Sequence, residues 1–442
     1  LSPDTKLASK KVEAEVKLLA TIKANLTEAE TQAIVDTSLA LATRQNVDDD
    51  PGVLPKVGLN DVPKTISEPT RADVKLANGD SLSRFAQGTN GLSYQQIVMT
   101  MPQLSDAQIS TLPLYTSCLP ELGVGTKDYA SVQTWQAQIS GGVSCYSSIR
   151  SDVDNIQKVK GLLTFGSKCL SVNHQKLTDL LAQTIGSIRF NEDKRLAELI
   201  EQICTRKESS ITGQGHSLAM SLAASGMSPT AKLNHQAGGL LGIQRLKSLR
   251  DSLRDPEGRE KLLEDFRELH DLILTAPRRF LLIGEAACLD SMQSDLESQW
   301  GTAPSTQDSS VLILPEVQNR VREVWTTSTA VNFSAKAYQT VPSSHEDNPV
   351  LSVLAGFMRN GFLHRAIREQ GGAYGGGATQ DANSASFRFF SYRDPRLSET
   401  LEDFDRALDW VSTATHGGHQ LEEAILGIIA GMDKPSSPAG EA

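Results

Sequence analysis

N-G-F-L-H-R-A-I-R-E-Q-G-G-A-Y-G-G-G-A, residues 360–378, decides how the rest of the chain is read. An amphipathic helix is expected to run into it from about Glu346, because Val350, Val353, Leu354, Phe357 and Met358 recur at three- and four-residue steps. Arg365 and Arg368 fall in its last turns, where cations oppose the negative end of the helix dipole. Gly371 and Gly372 then end it as a C-cap pair would. Tyr374 follows, with Gly375, Gly376 and Gly377 behind it. So many glycines cost backbone entropy, which a chain tolerates where something must come close to the main chain. The stretch therefore presents one fixed guanidinium, Arg368, and one phenol, Tyr374, beside a strip of bare backbone.

Two other readings compete. A phosphate cradle wants G-x-x-x-x-G-K-[ST], but no Lys follows these glycines, and they end a helix instead of opening one. The plain reading is a turn packed tightly through glycine, with Arg368 in a surface ion pair.

Together with Phe387-Arg388-Phe389-Phe390-Ser391-Tyr392-Arg393-Asp394-Pro395, the stretch resembles the second half of the inverted zinc peptidases. This is the pitrilysin/insulinase family, and the closest branch is the presequence proteases. The resemblance implies two homologous halves that close around a peptide like a clamshell. Zinc sits on the first half; the second supplies an Arg and a Tyr that reach the substrate carbonyl near the metal. Arg368 and Tyr374 match that pair by type, spacing and flanking sequence. On this resemblance Arg368 and Tyr374 are catalytic, and Arg368, Gly371, Gly372 and Tyr374 bind substrate. Zinc belongs to the N-terminal half, and none is bound by this chain. The implied function is a zinc metalloendopeptidase degrading unstructured peptides such as targeting peptides, of which this half alone is inactive. The alternative is a non-catalytic peptide-binding or scaffold subunit of the same fold, its partner a separate chain. A nucleotide-binding protein using the glycine strip is a third reading.

The 442 residues suffice for two or three domains. At 39% apolar and 22% charged, the composition suits a globular protein with real cores. No apolar run approaches the roughly 18 residues of a membrane span. The N-terminal Leu-Ser-Pro-Asp is neither signal nor transit peptide, and the absence of Met suggests a fragment or processed chain. Cys118, Cys145, Cys169, Cys204 and Cys288 are odd in number and scattered, which argues for reduced thiols in an intracellular compartment. That compartment is the cytoplasm if the source is bacterial, or the mitochondrial matrix or plastid stroma if eukaryotic. A net charge of −10 argues against a nucleic-acid partner. An acidic cavity would attract basic peptides, although an acidic pI also simply keeps proteins apart.

Residues 1–65 read as a helical hairpin. Val12, Val16, Leu19, Ile22 and Leu26 form one stripe, Thr27-Glu28-Ala29-Glu30 is a capping box, and Asp48-Asp49-Asp50-Pro51-Gly52 is a break. The hairpin resembles the linker between the family's two halves. Strands are expected at 72–76, 81–86 and 92–101, with a Thr89-Asn90-Gly91 hairpin turn, then at 143–149, 160–170 and 279–284. Helices fill 106–121, 127–140, 173–188, 191–224 with a break near Gly213-Gln214-Gly215, 229–275 and 289–300. Thr302 to Ser309 reads as a linker. Strands at 321–325, 328–341 and 384–392 and helices at 397–411 and 421–432 follow. Strands, a helical block, and a returning strand and helix make an α+β class with mostly antiparallel sheets. In family terms these are two α/β-roll domains: 66–302, the third domain of the full enzyme, and 303–442, the fourth, cut short. No internal repeat is visible residue by residue.

The family's first half carries H-x-x-E-H, in which two His bind zinc and Glu activates water. None of His174, His216, His235, His270, His345, His364, His416 or His419 has that spacing. His416-Gly417-Gly418-His419 is the one close pair, and its glycines favour a turn or helix start over a metal site. No G-x-S-x-G is present. Gly215-His216 resembles a helix-end motif of the family's third domain, with a packed histidine favoured. Ser344-His345-Glu346-Asp347 reads as a helix N-cap with acidic first-turn residues.

Overall fold

A computed structural model describes residues 6–45, 55–66, 68–303 and 311–442. The chain divides into two compact units, Leu1–Val62 and Pro63–Ala442. The first carries α1 (Leu7–Asn25) and α2 (Glu28–Gln45). The capping box forms as read: Thr27 N–H donates to the Glu30 carboxylate at 2.9 Å, and Glu30 N–H donates to Thr27 Oγ1 at 3.3 Å. The Thr27 N–H and the Thr27 hydroxyl, which donates to the same carboxylate at 2.8 Å, hold the Glu30 carboxyl below its ordinary pKa. The expected break at Asp48–Gly52 lies outside the described residues, as does 304–310 of the expected linker.

In the second unit β1 (Arg71–Lys75), β2 (Ser81–Ala86), β3 (Leu92–Thr100), β4 (Ser140–Ser151), β5 (Val159–Leu170) and β6 (Arg278–Gly284) make one sheet in the order β1-β2-β6-β3-β5-β4. Every neighbouring pair is antiparallel except β2 with β6. Asn90 and Gly91, both at positive φ, make the turn into β3. The helices are α3 (Asp106–Cys118), α4 (Tyr129–Ile139), α5 (His174–Gly186), α6 (Asp193–Ser210), α7 (Gly215–Ala224), α8 (Pro229–Gly238), α9 (Leu240–Ser252), α10 (Pro256–Leu274) and α11 (Ala286–Trp300). Ile97, Phe165, Phe280 and Leu282 from the sheet bury against Leu177, Leu180 and Leu181 of α5 and Met292 and Leu296 of α11. Each such side chain contributes about 1.5–3 kcal/mol. Within this core Tyr115 Oη and His270 Nδ1 share a 2.8 Å hydrogen bond.

A second sheet holds β7 (Ala335–Gln339), β8 (Gly375–Asp381) and β9 (Ser386–Tyr392) in the order β7-β9-β8, antiparallel throughout. It packs with α12 (Asp347–Met358), a π-helix (Arg359–Gln370) and α13 (Ser398–Thr413); α14 (Gly418–Met432) and α15 (Pro438–Glu441) complete the chain. Met358, Leu363, Ile367, Phe389 and Phe404 form its core, with Phe389 stacked on Phe404 at 5.5 Å. The order β7-β9-β8 repeats β3-β5-β4, and in both sheets helices link the first strand to the hairpin that follows. The two sheets thus share a topology that no residue-level repeat in the sequence reveals.

Three expectations are corrected. Residues 321–325 form no strand; the chain crosses the α7–α8 connection instead, where Asn319 N–H donates to Gly226 O at 2.7 Å. Of 328–341 only Ala335–Gln339 pairs as a strand. The bare glycine strip is itself a strand, β8, and it is covered. A Cβ on Gly376 would lie 2.8 Å from Ile367 Cγ2, and one on Gly377 would lie 3.0 Å from Arg359 Cδ. These glycines let the π-helix lie close upon the sheet.

Candidate functional site

The expected helix through residues 346–370 changes register halfway. Past Met358 it continues as the π-helix, a form rare at this length and often found at functional sites. The apolar side chains Met358, Leu363 and Ile367 follow at intervals of five and four, which keeps them buried in the wider turn. That interval of five was the signal available in the sequence. Gly361 allows the close approach, because a Cβ there would strike Trp410 of α13.

The π-helix ends as the glycine pair predicts, with a difference. Gly372 has φ +77°, its N–H donates to Arg368 O at 3.1 Å, and Ala373 N–H donates to Ile367 O at 3.1 Å. These nested bonds reach back four and six residues, each one more than in a Schellman cap, in keeping with the wider π turn, and they close the helix end through a left-handed glycine. Gly371 is buried, and a Cβ there would occupy the place of the Arg396 guanidinium. Arg396 Nη2 donates to Ala366 O at 3.2 Å and to the fully buried Asp403 carboxylate at 2.9 Å. It thereby ties the π-helix end to α13. Nothing in the local sequence pointed to this clamp; a lone Arg before a helix has many uses.

The turn leaves Arg368 and Tyr374 on the surface together. Tyr374 is 67% exposed, and Arg368 Cζ lies 6.0 Å from its ring centroid. Neither side chain has a hydrogen bond or ion pair among the described residues. The Tyr374 N–H donates to Arg393 O at 3.3 Å, and its ring meets Tyr392 edge to face at 5.6 Å. Tyr392 in turn contacts His216 at 5.0 Å and Phe333 at 5.7 Å. The site is therefore backed by α7, which lies against β7 and β9 of the second sheet. Of the expected contact residues, Arg368, Gly372 and Tyr374 are exposed and Gly371 is not. Such an arrangement can present two donors to an acceptor oxygen of a bound molecule.

The other candidates resolve locally. His216 is a packed histidine, its pKa lowered by burial. His416 meets the Trp410 ring at 4.5 Å with Nε2 3.1 Å from Val411 O, while His419 lies on α14 beside Glu423. Among the described residues no group of three or more His, Cys, Asp or Glu could hold a metal ion. Before α12 it is His345, not Ser344, that serves the helix start: its Nδ1 accepts from Asp347 N–H at 3.1 Å. Among the described residues no helix is long and apolar enough to cross a membrane.

Residues 1–249 match the family model for the region associated with peptidase family M16, subfamily C, and residues 322–442 match the PreP C-terminal domain. The mitochondrial presequence protease of Xenopus tropicalis is 26% identical over 469 residues, covering 99% of this chain and 45% of that protein. Its namesake from Yarrowia lipolytica is 27% identical over 436 residues, covering 97% and 43%. The chain thus spans under half the length of these relatives. Among solved structures, a conserved protein from Enterococcus faecalis superposes with a TM-score of 0.60 at 13% identity, covering 82% of this chain and 86% of that one. A peptidase M16 inactive domain from Pseudomonas fluorescens gives 0.56 at 14%, covering 84% and 85%. The chain belongs to the M16 peptidase family, in its subfamily C, and corresponds to the C-terminal half of a presequence-protease-like enzyme.

Proposed function

We propose that this chain is the substrate-facing, non-metal half of a zinc metalloendopeptidase that degrades unstructured peptides such as targeting peptides. The observation that carries the reading is the pair of uncommitted donors, Arg368 and Tyr374, side by side on an exposed turn. Peptide-bond hydrolysis builds negative charge on the attacked carbonyl oxygen, and a preorganised donor beside that oxygen stabilises it. Arg368 acts as a charged clamp on substrate carbonyls. The Tyr374 hydroxyl donates to the oxygen of the tetrahedral intermediate. Gly372 leaves the backbone open beside them, and Gly371 shapes the turn that sets their spacing. The metal and its activated water are assigned to the N-terminal half, the partner of this one, as the resemblance to presequence proteases implies. The mitochondrial relatives favour the mitochondrial matrix as its location in a eukaryote. Nucleic acid and membrane are not partners in this reading.

The test is peptide cleavage by the full-length polypeptide. Arg368→Ala and Tyr374→Phe should each lower turnover while zinc content stays at the wild-type level. Unchanged turnover in both variants would refute the assigned roles.

A second reading, a non-catalytic peptide-binding or scaffold subunit, draws on the Pseudomonas fluorescens inactive domain, a solved chain of which this one covers 85%. It predicts peptide binding without turnover, and co-purification of a separate H-x-x-E-H polypeptide would favour it.

A further inference from the structure

Arg393 stands in a conformation that an arginine adopts at a cost. Its φ is +50°, in the left-handed region. Among the described residues the other non-glycine positions with positive φ are Asn90 and Ala385, both in turns between strands. Asn tolerates that region and Ala brings little bulk. The bend at 393 is imposed by its C-terminal neighbours. The buried Asp394 carboxylate accepts from Arg396 N–H at 2.9 Å and from Thr400 Oγ1 at 2.7 Å, and Asn332 pairs with Asp394 through both backbone bonds. Glycine would make the same bend without strain of about 1–2 kcal/mol. The fold therefore calls for the bend and not for the arginine.

The side chain is exposed, yet it is not swinging free in water. Its Cζ lies 5.3 Å from the centroid of the Tyr392 ring, which holds the guanidinium by cation–π attraction. Like Arg368, it has neither hydrogen bond nor ion pair from its side chain among the described residues. Two adjoining rings, Tyr374 and Tyr392, are thus flanked by two unpaired cations, Arg368 on one and Arg393 on the other. The Arg393 carbonyl also accepts from Tyr374 N–H, so both groups belong to one rigid junction. A planar guanidinium held on a ring face matches a carboxylate by two parallel hydrogen bonds.

The geometry points to Arg393 as a specificity-determining residue that binds a carboxylate of the peptide lying across Tyr374. This rests on the proposed peptidase reading. The carboxylate has two possible sources, an Asp or Glu side chain within the peptide or its free C-terminus.

The experiment compares matched fluorogenic peptides in the full-length polypeptide. One pair differs by Glu against Gln at a scanned position, the other by a free carboxylate against an amide at the C-terminus. Wild type should favour the carboxylate member of one pair by about three- to tenfold in kcat/KM. Arg393→Gln should bring that ratio close to one, whatever happens to the absolute rates, and the pair that responds names the source. Arg393→Lys should keep part of the preference, and Arg393→Gly, which relieves the backbone, should lose it while raising Tm. A ratio of one in wild type for both pairs, or a ratio that survives Arg393→Gln, overturns the inference. If Tyr374→Phe abolishes turnover while the ratio survives Arg393→Gln, the inference falls and the peptidase reading stands. If Tyr374→Phe and Arg368→Ala both cleave normally, the two fall together.

Discussion

Two hairpins in this molecule begin with the same device and end in different uses. In the first sheet Gly141-Gly142 lies at the start of β4, directly after α4, where the pairing with β5 shifts register, and Gly142 has φ +97°. In the second Gly371-Gly372 leads from the π-helix into β8, and Gly372 has φ +77°. Four residues before the left-handed glycine stands Gln138 in one and Arg368 in the other; two after it stand Ser144 and Tyr374. Ser144 Oγ donates within the sheet to Gly166 O at 3.0 Å, and Gln138 is exposed without a side-chain bond among the described residues. The glycine pair therefore belongs to the architecture, and the two turns differ in the side chains placed around it. A glycine-rich turn alone says little about function; the guanidinium and phenol beside it say more.

The sharpest way to break the comparison is to remove the side chains that differ. Tyr374→Phe or Arg368→Ala should lower kcat of the full-length polypeptide by about 10²–10³, the usual effect of losing one oxyanion donor. Gln138→Ala, at the matching place in the first sheet, should leave kcat within about twofold, as surface substitutions generally do. Equal losses at the two places would mean that both turns matter only for folding.

Much of this was legible in the sequence, for identifiable reasons. The strands of the first sheet are short apolar-rich runs, and Asn78-Gly79, Asn90-Gly91 and Gly141-Gly142 mark where β2, β3 and β4 begin, so composition and turn signals agree. The Arg368–Tyr374 spacing could be read because both flank one short turn. β8 could not, because three glycines carry no strand propensity and are chosen for the approach of Ile367 and Arg359 from another element. The π-helix was hidden because Val350 to Met358 set an α-helical period that the later residues leave. The Arg396–Asp403 clamp and the aromatic backing by His216 join segments that no local pattern connects.

That clamp is the next difference to test. Over Gly141 the first sheet has only the exposed Lys168, whereas over Gly371 lies Arg396, paired with the buried Asp403. Arg396→Ala should cost about 2–3 kcal/mol in chemical denaturation, because it strips a buried carboxylate of one partner while Arg406 remains. It should also lower turnover by loosening the π-helix end. Lys168→Ala should cost less than about 0.5 kcal/mol and leave turnover alone.

Smaller again is the effect of the left-handed glycines themselves. Gly142→Ala meets no neighbour within 4 Å, and Gly372→Ala meets only Pro395 Cγ at 3.6 Å, so backbone strain is the whole cost. Each should lose about 1–2 kcal/mol, measured as a fall in Tm. Only Gly372→Ala should also reduce kcat, since only there does the turn hold the two donors proposed for catalysis.

The last contrast is in acid sensitivity. His174, His216, His235 and His270 all lie in the part of the chain that builds the first sheet and its helices, and burial lowers the pKa of each. For His174 the neighbouring Asp295 opposes this without reversing it. A histidine with a lowered folded pKa stays neutral in the native state after the unfolded chain, titrating at 6.5, has begun to take up protons. The unfolded state then binds more protons, so stability falls with falling pH. The loss begins below 6.5 and is complete once the folded histidines also protonate. Ion-paired carboxylates with lowered pKa, such as Asp193 and Asp405, start from 3.8 and act only in stronger acid. Calorimetry should therefore find Tm flat from about pH 8 to 7 and declining between about 6.5 and 5. His270→Gln should flatten that decline, because burial disfavours the charged ring there by more than the Ile185 carbonyl and Asp271 favour it. A Tm that rose on acidification through this window would show that ion pairing, not burial, governs these histidines.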